Sequence, residues 1–181
     1  MPDKNINEKF SETEGIGIDV TRSFKAPLPK VWKAWTEPES LKHWWGPKGL
    51  QWVKCSIDFK PGGVFHYCMI APNGQEMWGK IVYREIVEFK TIVFVVSFSD
   101  EKGNITRHPL NATWPLEVFN TINFTESGDQ TTIILRGTPI NASQEELATF
   151  KAGHSSIQQG LKGTLNQLDE YLLTVTEGKA K

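Results

Sequence analysis

The chain has 181 residues, twenty basic against twenty-one acidic side chains, and 39% hydrophobic residues. That length most simply makes one domain with a substantial core, and the balanced charge offers no global attraction for a phosphate backbone or an anionic lipid surface. No stretch is apolar for long enough to span a bilayer and the start lacks a leader's apolar core, so we expect a cytoplasmic protein with neither nucleic acid nor membrane as partner.

Residues 1–15 are polar and charged and read as a disordered tail. A single domain is expected over 16–176, and 177–181 as a second tail. Ile16 to Lys25 alternates, with Ile16, Ile18, Val20 and Phe24 on one face and Asp19, Thr21, Ser23 and Lys25 on the other, the pattern of a half-buried strand. Two short helices follow, at about 29–36 and 38–44. Pro29 and Pro38 sit where a first helical turn tolerates a missing N–H. Thr36 and Glu39 have capping-box spacing for the second helix. Trp32, Trp35, Trp44 and Trp45 crowd this short segment, and such apolar area has to cover something. Trp44 and Trp45 are adjacent and cannot both face a core, so one is expected at a cavity mouth or on a partner surface.

Strands are predicted at 52–59, 63–70, 76–87, 91–98, 116–125 and 131–138. Turn residues separate them, notably Pro61-Gly62-Gly63, Asn73-Gly74 and Ser127-Gly128-Asp129. Residues 99–115 read as an irregular loop. One long closing helix begins at the capping-box sequence Ser143-Gln144-Glu145-Glu146. Its apolar positions recur at helical steps through Phe150, Ile157, Leu161, Leu165, Leu168 and Leu172. The order implies an α+β fold with helices on one face of an antiparallel sheet.

Turn positions also set which side chains share a face. Centring the 58–63 connection between Pro61 and Gly62 puts Cys55 opposite Cys68 and Ile57 opposite His66. Gly79, Ile81 and Tyr83 then join His66 and Cys68 on the inner face, with Tyr67, Met69 and Trp78 outside. Ile92, Phe94, Val96, Val118, Ile122 and Phe124 also point inward. The polar exceptions on that face are Arg22, His66 and Asn120, with His154 on the closing helix. Cys55 and Cys68 are placed as neighbours that a reducing compartment keeps as free thiols. No Cys-x-x-Cys or His-Glu-x-x-His spacing suggests a metal, and no cofactor is expected.

Several of these motifs together resemble the family of activators of heat-shock-protein-90 ATPase homologues. They are Phe24-x-Ala26-Pro27, Val31-Trp32-x-Ala34-Trp35-Thr36-x-Pro38-Glu39, Trp44-Trp45-Gly46-Pro47, Asp58-Phe59-x-Pro61-Gly62-Gly63, Asn73-Gly74, Gly79 with Tyr83-x-Glu85-Ile86, and a closing Gly153-His154 helix. The resemblance implies the START-like (SRPBCC) superfamily and a helix-grip fold. There a curved antiparallel sheet of about seven strands wraps a long C-terminal helix and leaves an internal cavity. Where family members often carry Gly-Trp, this chain has Gly153-His154.

The expected function is binding of a small hydrophobic or amphipathic molecule without catalysis. Candidate cavity residues are Arg22, Trp45, His66, Ile81, Phe94, Asn120, His154 and Gln158. His66 and His154 either form a polar pair in that cavity or are two separately satisfied histidines. An enzyme would need one of them as an acid–base group. A co-chaperone-like module with a chaperone partner would instead use Trp45 or Trp78 on its surface.

Overall fold

The computed structural model describes residues 15–177, so the predicted tails lie outside it except for Gly15 and Glu177. Strand β1 (Ile18–Phe24) is followed by helices α1 (Leu28–Thr36) and α2 (Pro38–Leu41). Strands β2 (Gln51–Ile57), β3 (Val64–Ile70), β4 (Glu76–Val87), β5 (Thr91–Ser99), the short β6 (Ile105–Thr106), β7 (Glu117–Ser127) and β8 (Gln130–Ile140) come next. Helices α3 (Gln144–Ala152) and α4 (His154–Glu177) close the chain. The sheet runs β1-β8-β7-β5-β4-β3-β2, all neighbours antiparallel, with β6 beside β5. The α+β helix-grip architecture is the one expected. No helix among the described residues is long and apolar enough to cross a membrane.

Helix α1 turns Val31, Trp32, Ala34 and Trp35 onto the sheet. Its start is pinned where the Thr131 hydroxyl donates to the Ala26 carbonyl at 2.8 Å. The expected Thr36 cap of α2 does not form. Thr36 instead donates back to the Trp32 carbonyl within α1, and Glu37 is the residue preceding α2. Helix α2 also stops at Leu41, before the predicted 44. The Ser143–Glu146 capping box is present in both directions.

The closing helix is two helices rather than one, broken at Gly153. A side-chain carbon there would stand 3.2 Å from the Trp114 ring, a tight contact that glycine avoids. Beside Gly160 and Gly163 there is open space. Side-chain hydrogen bonds hold helix α4 to α2 and to the α2–β2 connection. Gln167 donates to the Gly46 carbonyl at 2.8 Å, Thr164 donates to the same oxygen, and Tyr171 donates to the Ser40 hydroxyl.

One strand differs in orientation from the sequence reading. Ile57 pairs with Phe65, Cys55 with Tyr67, and Tyr67 with Gly79. The 58–64 connection is therefore centred on Pro61 itself. Gly63 lets the turn backbone fold onto Asp58, because a side-chain carbon there would meet the Asp58 carbonyl oxygen at 2.0 Å. The β3–β4 turn is shifted by one residue as well. The two shifts cancel, leaving β2 and β4 facing as expected and β3 alone inverted. Phe65, Tyr67 and Met69 point under the helices, while His66 and Cys68 point away. Cys55 and Cys68 are consequently on opposite faces and both are free.

Candidate functional site

The concave face of the sheet and helices α1 and α2 enclose a cavity of about 20 Å³. Trp35 and Leu41 form its roof and Trp45 one side. Its floor is Phe65 from β3, Ile81 and Tyr83 from β4, Ile92 and Phe94 from β5, and Ile122 from β7. None of these nine side chains carries a formal charge. The volume holds a water but not an aromatic ring. Beside it on the same face lies an outer cleft of about 80 Å³, walled by Tyr67, Gly79, Val96, Phe98, Val118 and the segment Trp114–Leu116. A wider hollow of about 340 Å³ lies at the β3–β4 turn between Gly49, Gln51, residues 70–72 and Gly74. It has neither an aromatic nor a charged wall.

Trp45 and Tyr67 divide the inner cavity from the outer cleft. Their rings are 6.5 Å apart and nearly perpendicular, and Tyr67 packs on Phe65 at 4.8 Å. Tyr67 lies flat on β4 because its partner there is Gly79, where a side-chain carbon would come within 2.3 Å of the ring. Burial pushes the Tyr67 hydroxyl's pKa up, and the Trp45 indole N–H opposes that shift. Burial does the same to Tyr83, with Cys55 adding to it. Both phenols are therefore held as neutral donors.

Trp35 and Trp44 carry the two buried indoles above this space. The Trp44 Nε1–H donates to the Ala34 carbonyl at 3.0 Å. The Trp35 Nε1–H is buried and finds no hydrogen-bond partner among the described residues. Its ring is surrounded by Trp44, Trp45 and Phe124.

Of the sequence candidates, Trp45, Ile81 and Phe94 line the inner cavity. Arg22 is on the helix-facing side but donates to the Asp169 carboxylate of α4 at 3.0 Å. Asn120 is buried beneath Ile18, and its side-chain amide donates to the Val118 carbonyl of its own strand. His66 is on the outer face, with Nε2 3.1 Å from the Asp100 carbonyl. His154 contacts the Ile16 carbonyl through Nε2 and packs edge-on against Phe150. Gln158 is exposed on α4. The two histidines are thus separately satisfied and neither reaches the cavity. His66 fell on the wrong face through the β3 inversion, which also hid Phe65 and Tyr67. Their signal was aromatic bulk at every second position of β3.

Trp78 lies on the outer face as expected, but it is not bare. His66 stacks on it at 5.1 Å and the Lys54 ammonium sits 5.2 Å above its ring. Among the described residues no group of histidine, cysteine and carboxylate side chains could hold a metal ion.

Residues 25–172 match the model of the family described as activator of Hsp90 ATPase homolog 1-like protein. The chain belongs to that family. Solved structures agree with this architecture. A Mycobacterium smegmatis protein is 27% identical with a TM-score of 0.69, covering 87% of this chain and 90% of its own. A Staphylococcus epidermidis protein is 25% identical with a TM-score of 0.67 and the same two coverages. An Arthrobacter aurescens protein, 23% identical with a TM-score of 0.72, covers 88% of this chain and 87% of its own, and shares the fold. No curated protein matches significantly. In this member of the activator-homologue family, five aromatic and four aliphatic side chains line the hollow between the helices and the sheet.

Proposed function

We propose that this member of the activator-homologue family is a cytoplasmic protein that binds a small hydrophobic or amphipathic molecule beneath α1 and α2. The carrying observation is the uncharged inner cavity set beside a second cleft, with the Trp45 and Tyr67 rings packed against each other between them. Such a mostly apolar hollow with a few polar tips is what ligand sites generally look like. The inner cavity is only about 20 Å³ in this conformation, so occupancy requires those rings to turn and join the two spaces. Two free cysteines suit a reducing compartment.

Neither alternative role has comparable support. The expected acid–base chemistry needs a histidine in the cavity, and both histidines considered for it lie elsewhere. A partner-capturing tryptophan patch needs a bare indole, whereas Trp45 is turned inward and Trp78 is flanked by His66 and Lys54.

Native mass spectrometry of the purified full chain tests the reading. A retained small molecule is expected, and Ile81→Phe, which fills the cavity, should reduce its occupancy. A ligand-free mass, together with melting temperatures unmoved by a panel of small apolar compounds, would sink it.

A further inference from the structure

We propose that the inner cavity selects a neutral ligand through a hydrogen-bond-accepting oxygen, read by the Tyr83 hydroxyl and the Trp35 indole N–H. The inference rests on the ligand-binding reading above and adds the chemical class.

The wall is unbalanced in its polar groups. Trp35 is 6% exposed, and its buried Nε1–H finds no hydrogen-bond partner among the described residues. Tyr83, 4% exposed, lines the same cavity and brings a second donor to its wall. Buried polar groups are nearly always hydrogen-bonded, so an unpaired indole N–H bordering a cavity calls for an explanation. An indole N–H can only donate, and a phenol held neutral by burial has a proton to give. The other seven lining residues are Leu41, Trp45, Phe65, Ile81, Ile92, Phe94 and Ile122. Among them only Trp45 has a polar side-chain atom, which is another donor. The missing partner is therefore an acceptor, which a ligand oxygen supplies once it replaces any water held there.

Charge narrows the class further. A carboxylate brought into an apolar wall needs a cation to offset its desolvation. Arg22, the cation on this side of β1, is committed to Asp169. No lysine, arginine or histidine lines the cavity. A ketone, ester or ether oxygen on an apolar frame meets the two donors without that cost.

Three one-ring probes of similar size separate the possibilities: acetophenone, ethylbenzene and benzoate. Titrated into the full chain and followed by the indole N–H resonances, acetophenone should bind about fivefold more tightly than ethylbenzene, the ratio set by one ordinary hydrogen bond. It should also shift the Trp35 resonance, assigned through Trp35→Phe, whereas benzoate should bind most weakly. In Tyr83→Phe the ratio of acetophenone to ethylbenzene affinity should fall towards one. Equal binding of acetophenone and ethylbenzene would overturn the acceptor inference while leaving apolar ligand binding intact. Benzoate as the tightest probe would overturn the neutral class. Wild-type protein that binds none of the three would overturn both this inference and the reading it rests on.

Discussion

At Gly79 a single missing carbon decides where a whole aromatic ring can lie. A methyl there would stand 2.3 Å from Tyr67 Cζ, so Gly79→Ala must lift the ring off the sheet. Alanine is otherwise the better strand residue, and any loss of stability therefore comes from Tyr67. We expect Gly79→Ala to cost roughly 1–3 kcal/mol. The cost should largely disappear in a Tyr67→Ala background, as coupling between touching residues requires. Urea unfolding of the four proteins checks this, and an equal loss in both backgrounds would count against the ring contact. Arg22 gives the opposite case. Its pairing with Asp169 leaves the two side chains 28% and 41% exposed, so Asp169→Asn should change stability by under about 1 kcal/mol. That Arg22 would find an acidic partner was open in the sequence. Which partner it was could not be read, because Asp169 lies on a helix 147 positions away.

Among the elements, β3 shows where the sequence stops being informative. Strand positions were legible except for the two-residue β6, which lies in the stretch read as a loop; alternation and glycine–proline breaks bound each of the others within two residues. The closing helix was legible too, apart from its break at Gly153, where the sequence-distant Trp114 ring packs close to the backbone. Facing is a finer property than position, because one residue more or less in a turn inverts a strand. Val64-Phe65-His66-Tyr67-Cys68-Met69-Ile70 has bulky side chains on both faces, so its own pattern does not expose the slip. Most of the inner wall, contributed by β4, β5 and β7, was legible, and the β3 wall was not. The inversion predicts a sharp contrast between neighbours. Phe65 is fully buried among Trp45, Trp52 and Tyr67, so Phe65→Ala should cost about 3–5 kcal/mol. His66→Ala, on the outer face, should cost about 1 kcal/mol or less. Chemical denaturation of the two variants distinguishes the registers, and the reverse order would restore the sequence-based one.

Over the whole molecule, the segment from Arg107 to Leu116 joins the open end of the cavity system to the closing helices. Arg107 pairs with Glu146 of α3, Thr149 donates to Thr113 at 2.9 Å, and Trp114 packs on Phe150. His108 shapes the same segment. Its Nδ1 accepts the Leu110 N–H at 3.0 Å, and its ring meets Phe98 at 4.6 Å. The segment should therefore respond to acid in two stages. Burial holds His108 below its ordinary value of 6.5, so the unfolded chain takes up that proton first. The stability tied to neutral His108 is then complete above pH 6.5 and is lost as pH falls through the lower folded value. Glu146 is held below its ordinary 4.5, chiefly by Arg107 and then by the Ser143 backbone N–H. Its contribution is complete above pH 4.5 and is lost as pH falls through its own depressed value. In urea midpoints measured against pH, His108→Asn, whose Oδ1 can still accept the Leu110 N–H, should flatten the first decline and keep the second. Glu146→Gln should flatten the second and keep the first. Parallel profiles for wild type and either variant would remove that residue from the acid response. Because Trp114 and Leu116 wall the outer cleft, the His108 stage also predicts that ligand release becomes faster as pH falls below 6.5 in wild type than in His108→Asn.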